Sequence, residues 1–307
     1  MERAYYSLPL FFDNVQPIQL DEHLILASAL GLAIICLLTI GISVLHIPLN
    51  RETVAIAYFV MMAAVFIIVL LKKKKGFLAN KQADRLEFPF AFILITITLL
   101  FIRALQIKDI LVPNWIDGLF HADLLQRFVI KKAIPFDSIY HIGFHAIVLY
   151  VYYLFGIDLP EAILIVGQWV SALSGLTIYL LLKRFVRNTI ISYVGVIIYS
   201  LFLLFPSHLV SWGRYPFLAG LALLPPVITL SIDWIIKSKR HYFITLIFIV
   251  AIALTHYGSL LYLLAFLMMY IIFRIGLSSL MHSIKRSKEI LLRLIFLFAP
   301  LLIFIIP

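Results

Sequence analysis

Charged side chains are scarce in this chain. Only 13% of its 307 residues are Asp, Glu, Lys or Arg, whereas 64% are hydrophobic. A soluble domain carries about 25% charged residues, so half of the expected solvating surface is missing and a water-soluble globule is excluded. Cysteine is nearly absent too. Cys36 is the single one and lies inside an apolar block, which excludes an internal disulfide. Acidic residues number 15 against 25 basic ones, giving a formal net charge of +10. Those basic residues form no continuous face; they stand in short clusters at the ends of apolar blocks. This is how topology is written in membrane proteins, and it excludes nucleic acid as the partner. The stretch before residue 24 holds Glu2, Asp13, Asp21 and Glu22 with Arg3 as its one Lys or Arg. Without a basic start and an early apolar run, no cleavable signal peptide is expected.

What the chain does have is long apolar runs, so lipid is the expected solvent. Residues 24–45, 53–71, 88–107, 160–182, 189–205 and 215–236 each read as a span. The run 242–273 is too long for one span of roughly 20 residues. It is interrupted by Thr255-His256-Tyr257-Gly258 and reads as two helices meeting there. A last block begins near Leu291 and is still apolar at Pro307, which suggests a piece of a longer protein. Residues 142–157 are too short to span comfortably, with Tyr140 just before them and Tyr150, Tyr152 and Tyr153 among them. If they lie in the interface, the clusters Lys72–Lys75, Lys183-Arg184-Arg187, Lys237-Lys239-Arg240 and Lys285-Arg286-Lys288 all share one side.

That choice gives an all-α, polytopic transmembrane bundle of about nine spans with a cytoplasmic N-terminus. Three regions follow: an N-terminal transmembrane region (1–107), an outer-face loop with interfacial helices (108–159), and a second transmembrane bundle (160–307). The loop is the only long connection, and such a loop is where function usually sits. From Asp117 to Lys132 the pattern suits a surface helix on which Asp117 and His121 share a stripe with Leu124, Leu125 and Phe128. Asp123 and Arg127 make an ordinary i,i+4 pair. Asp117 has two readings: a helix N-cap, or a carboxylate at the edge of a membrane cavity suited to general-base work. Of the polar residues within spans, Arg103 is expected to snorkel outward. Asp233 is expected to pair beside Lys237, and Gln168 and Ser171 to mediate helix contacts.

The string Asp117-x-x-x-His121, then Ile134-Pro135, then Tyr140-x-x-Gly143-Phe144-His145, resembles the first outer loop of GT-C glycosyltransferases. These are polytopic enzymes that use polyprenyl-phosphate sugars, related to protein mannosyltransferases and oligosaccharyltransferases. Gly175-Leu176-Thr177-Ile178-Tyr179-Leu180 ahead of Lys183-Arg184, and Trp212-Gly213-Arg214-Tyr215-Pro216 after Pro206, extend the resemblance over residues 115–258. It implies sugar transfer from a polyprenyl-phosphate donor to an acceptor at the outer face of the plasma membrane. Asp117 would be the base or orienting carboxylate with His121 beside it, and Arg214 the phosphate ligand. Tyr140, His145, His208 and His256 would contact substrate. Metal-dependent members carry further acids in the second outer loop, but residues 206–214 contain none, so transfer without a cofactor or metal is expected. Two alternatives stand beside this reading. One is a non-catalytic or truncated GT-C-like subunit. The other is a transporter or flippase, which would carry ionisable groups deep in several spans.

Overall fold

A computed structural model describes residues 19–74, 90–113, 115–135, 140–236 and 241–277, with residues 292, 295, 298 and 299. Every element among the described residues is helical. In chain order these are α1 (Leu20–Val44), α2 (Arg51–Lys74), α3 (Phe90–Ile107), α4 (Trp115–Lys131), α5 (Gly143–Phe155) and α6 (Leu159–Val186). After α7 (Thr189–Ile197) comes a π-turn (Ile198–Phe202), followed by α8 (Leu204–Ser211). The order closes with α9 (Tyr215–Ile236), α10 (Tyr242–Thr255) and α11 (Tyr257–Leu277). The basic clusters at 237–240 and 285–288, and all of the last apolar block but those four residues, lie outside the described residues.

Among the described residues, five helical stretches are long and apolar enough to cross a membrane: Leu20–Val44, Phe90–Ile107, Leu159–Val186, Thr189–Ser211 and Tyr215–Trp234. The apolar side chains that remain exposed support a lipid surround. Phe59, Val60 and Phe66 on α2, Ile97 and Phe101 on α3, and Met268, Met269 and Ile272 on α11 all face outward. So much contiguous apolar surface would drive aggregation in water but is matched by acyl chains.

The centre is the α6–α9 pair. α6 starts with Pro160 in its first turn, where a missing N–H costs nothing. α6 ends at Arg187, and the next residue caps α7, since Asn188 Oδ1 accepts from Ile191 N at 3.1 Å. Here the bundle has a tightly fastened end. Tyr179 and Tyr193 both donate to Asp21 Oδ2, at 2.6 and 2.7 Å, and Arg184 pairs with Asp233 at 2.7 Å. Asp233 thus has a partner across helices on α6, while Lys237, beside which it was expected to pair, lies outside the described residues.

Two expectations are corrected. Arg103 does not snorkel: it is 3% exposed, with Nη2 donating to the Ser200 carbonyl at 2.9 Å and Nη1 to Gln106 Oε1 at 2.9 Å. The helix breaks after Phe202, and carbonyls at a helix end seek outside donors. Residues 142–157 do not lie at the periphery. Gly143 to Tyr150 of α5 are all buried, between α1, α2, α4, α6, α9 and α10. α5 nevertheless fails to carry the chain across the bundle. It begins beside Leu254 and Thr255, at the end of α10, and α6 starts three residues after it ends and runs toward the Asp21 end.

Candidate functional site

The end of the bundle opposite Asp21 gathers α4, the start of α5, the α8–α9 junction and the α10–α11 junction. α4 is anchored at its exit. Leu49 N donates to the Lys132 carbonyl at 2.7 Å, and Ile134 N to Ser43 Oγ at 3.0 Å. One stripe of α4 is buried, formed by Gly118, His121, Leu125 and Phe128. Asp117, in the first turn, lies at the edge of that stripe, half exposed. It is not the N-cap, because the helix begins two residues earlier at Trp115. Asp123 and Arg127 form their surface pair at 2.7 Å.

Arg214 reaches Asp117 through a local device legible in Trp212-Gly213-Arg214. At the end of α8, Gly213 N donates to the Val210 carbonyl and Arg214 N to that of Leu209, at 3.2 and 2.9 Å. This paired closure needs a left-handed residue after the cap, and Gly213 supplies it at φ 69°. The reversal sends Arg214 toward α4, where Nε donates to Asp117 Oδ2 at 3.2 Å. The side chains are 52% and 43% exposed, and the guanidinium carbon sits 5.1 Å from the Trp212 ring centroid.

Beneath this open pair lies an imidazole and aromatic floor. His121 Nδ1 and His145 Nε2 are 3.1 Å apart, one supplying the proton and the other the lone pair. His121 is 3% exposed and His145 fully buried. Tyr140 touches both rings and Phe120, and stacks on His141 at 4.2 Å. His141 meets His256 edge-on at 4.9 Å, and His256 in turn stacks on Phe217 at 4.6 Å.

Burial sets the protonation of this floor, since a low-polarity surround disfavours the charged imidazolium. It brings His121 down to about 4, with Asp117 and the Gly213 backbone opposing. Burial, then His256 and His121, bring His141 to about 4. Burial, then His121 and His141, hold His145 well below the ordinary range, while burial and Arg214 lower His256. Burial, then Asp117, push Tyr140 up to about 12. The floor is neutral at physiological pH, and charge is confined to the pair above it.

Of the expected site residues, Asp117 and Arg214 meet directly, and His121, Tyr140, His145 and His256 form the floor. His145, expected to touch substrate, is sealed and contacts His121 instead. His208 stands apart: its Nδ1 lies 3.0 Å from the Leu204 carbonyl and its ring packs on Trp212 and Phe205. His141 and Phe217 were missed. The signal for His141 was its position inside the Tyr140 motif, directly after that tyrosine. Among the described residues, no group of three His, Cys, Asp or Glu could hold a metal ion.

A polytopic helical bundle with one half-open carboxylate–guanidinium pair is the class that fold and site define. Residues 21–307 match a family of unknown function (DUF6541), and the chain belongs to that family. Comparison with curated proteins and with solved structures gives no match.

Proposed function

We propose that this protein is an integral membrane glycosyltransferase, which moves a sugar from a polyprenyl-phosphate donor to an acceptor at the outer face of the plasma membrane. The observation that carries the reading is the Asp117–Arg214 pair. Two groups 97 residues apart in sequence are held 3.2 Å apart and half exposed above a neutral floor. Sugar transfer needs a proton acceptor beside the incoming nucleophile and a cation beside the departing phosphate. The acceptor oxygen forms a bond to the anomeric carbon while the bond from that carbon to the phosphate oxygen breaks. The acceptor proton passes to the Asp117 carboxylate, and polyprenyl phosphate leaves toward Arg214.

In the unliganded protein each group masks the other. A donor phosphate binds both edges of the guanidinium better than one carboxylate oxygen does, so it draws Arg214 away and returns basicity to Asp117. His121, too buried to reach an acceptor, holds the α4 stripe in place through His145. The orientation that suits this reaction puts the Asp117 end outside and the Asp21 end in the cytoplasm, as the basic clusters prescribe. About nine spans is the count that goes with it.

The test is release of polyprenyl phosphate from a labelled polyprenyl-phosphate sugar in membranes carrying wild type or Asp117→Asn, supplied with a mixed acceptor pool. Turnover should fall by at least 100-fold in the variant. Wild-type protein that folds but releases nothing would overturn the enzyme reading in favour of a non-catalytic subunit.

A further inference from the structure

A second polar cluster lies where α3, α6 and the π-turn meet, built from elements that do not carry the Asp117–Arg214 pair. Its centre is Arg103, a buried guanidinium with no carboxylate within ion-pair distance among the described residues. Two of its nitrogens are engaged by neutral groups, Gln106 Oε1 and the Ser200 carbonyl. Among the described residues its Nε has no partner, and neither have Ser171 Oγ, Ser200 Oγ and Gln168 Oε1, all buried.

These groups share one place by helical register. Gly175 of α6 faces both Ser200 and Leu99: a Cβ at that position would collide with Ser200 Oγ, and Leu99 Cδ1 is the next neighbour. α3 and α6 run antiparallel, so Arg103, one turn beyond Leu99, comes level with Ser171, one turn before Gly175. At about 100° per residue, Gln168 and Ser171 lie within roughly 40° of the Gly175 direction. They therefore look into the same junction.

An unpaired buried cation is costly, and at membrane depth it marks a site that takes a counter-charge. The available donors are one guanidinium edge and two hydroxyls, a set that matches the several oxygens of a tetrahedral oxyanion. We propose that Arg103, Ser171 and Ser200 form a binding site for a phosphate-type oxyanion, with the exposed Gln106 at its rim. The proposal does not rest on the glycosyltransferase reading, because it uses neither Asp117 nor Arg214.

Two sources share this chemistry, a phospholipid headgroup and free phosphate, and the experiment separates them. Full-length protein is purified in detergent, and retained phospholipid is counted by native mass spectrometry. Binding of inorganic phosphate is then read by ³¹P line broadening after delipidation. Wild type should hold one phospholipid per chain through purification, or one saturable phosphate once lipid is stripped. A phospholipid that displaces the phosphate assigns the site to the headgroup; phosphate indifferent to lipid assigns it to the soluble ion. Ser171→Ala, which leaves both hydrogen bonds of Arg103 intact, should weaken binding about tenfold, and Arg103→Gln should abolish it. If Arg103→Gln loses its helical circular dichroism, Ser171→Ala decides alone. Wild type that retains neither species, or a Ser171→Ala variant that binds as wild type does, would overturn the proposal.

Discussion

Two aspartate–arginine pairs, one at each end of the bundle, are made of the same residue types and do different things. Arg184 and Asp233 meet at 2.7 Å with side chains 13% and 14% exposed. Arg214 and Asp117 meet at 3.2 Å with about half of each side chain in contact with solvent. The first pair is shut in at the end that also holds Asp21 and its two donors, Tyr179 and Tyr193. The second is propped open by a helix-end reversal and stands over imidazoles that carry no charge. Burial turns one pair into a fastener. Exposure leaves the other free to exchange its partner for a ligand.

The contrast can be broken first on stability. Asp233→Ala strands Arg184 in a nearly closed site and should cost about 3 kcal/mol, whereas Asp117→Ala should cost less than about 1 kcal/mol. Thermal melts of the two variants in one detergent would read this, and equal losses would erase the distinction. A smaller effect is expected at Tyr179→Phe, which removes one of two hydroxyl donors to Asp21 and should cost about 1.5–3 kcal/mol. Its counterpart at the other end, Tyr140→Phe, should leave the melting temperature within a degree or two.

Acid sharpens the comparison further. Folding depresses His121 and His141 from 6.5 to about 4, so between these values the unfolded chain binds more protons than the folded one. Stability is therefore full above pH 6.5 and declines as pH falls toward 4. Melting temperature measured against pH should show that slope, and His121→Phe should flatten it. The smallest perturbation tests sidedness. Cys36 is buried and is the only cysteine, so a single cysteine at Ala122 should react with an impermeant thiol reagent from outside. One at Leu182 or Val186 should react only from the cytoplasm.

Much of the fold was written in patterns that need no partner to be read. The apolar runs give α1, α3, α6 and α9 within a few residues, and the break at Thr255–Gly258 falls where α10 ends and α11 begins. Asp117, His121 and Arg214 were legible because a helical stripe and a Trp-Gly-Arg reversal are local devices. What was not legible depended on tertiary surroundings. α5 reads as interfacial by its length and tyrosines, yet it is enclosed, since six other helices cover it whatever its own sequence says. Arg103 reads as a snorkelling residue because the sequence does not announce that the π-turn after α7 will break at Phe202 and offer a carbonyl. His208 has the same residue type and side of the membrane as His256. Only the direction of α8 separates them.

α5 also constrains how the protein is put together. It has 13 residues, too few for insertion as an independent span, and its first eight residues are covered by helices that come both before and after it in the chain. A nascent chain that has reached Phe155 therefore lacks α6, α9 and α10, three of the walls that enclose it. The enclosure of α5 is therefore expected to be complete only once those helices are in place. Chains cut before Tyr215 should leave residues 143–150 open to protease, whereas the full chain protects them.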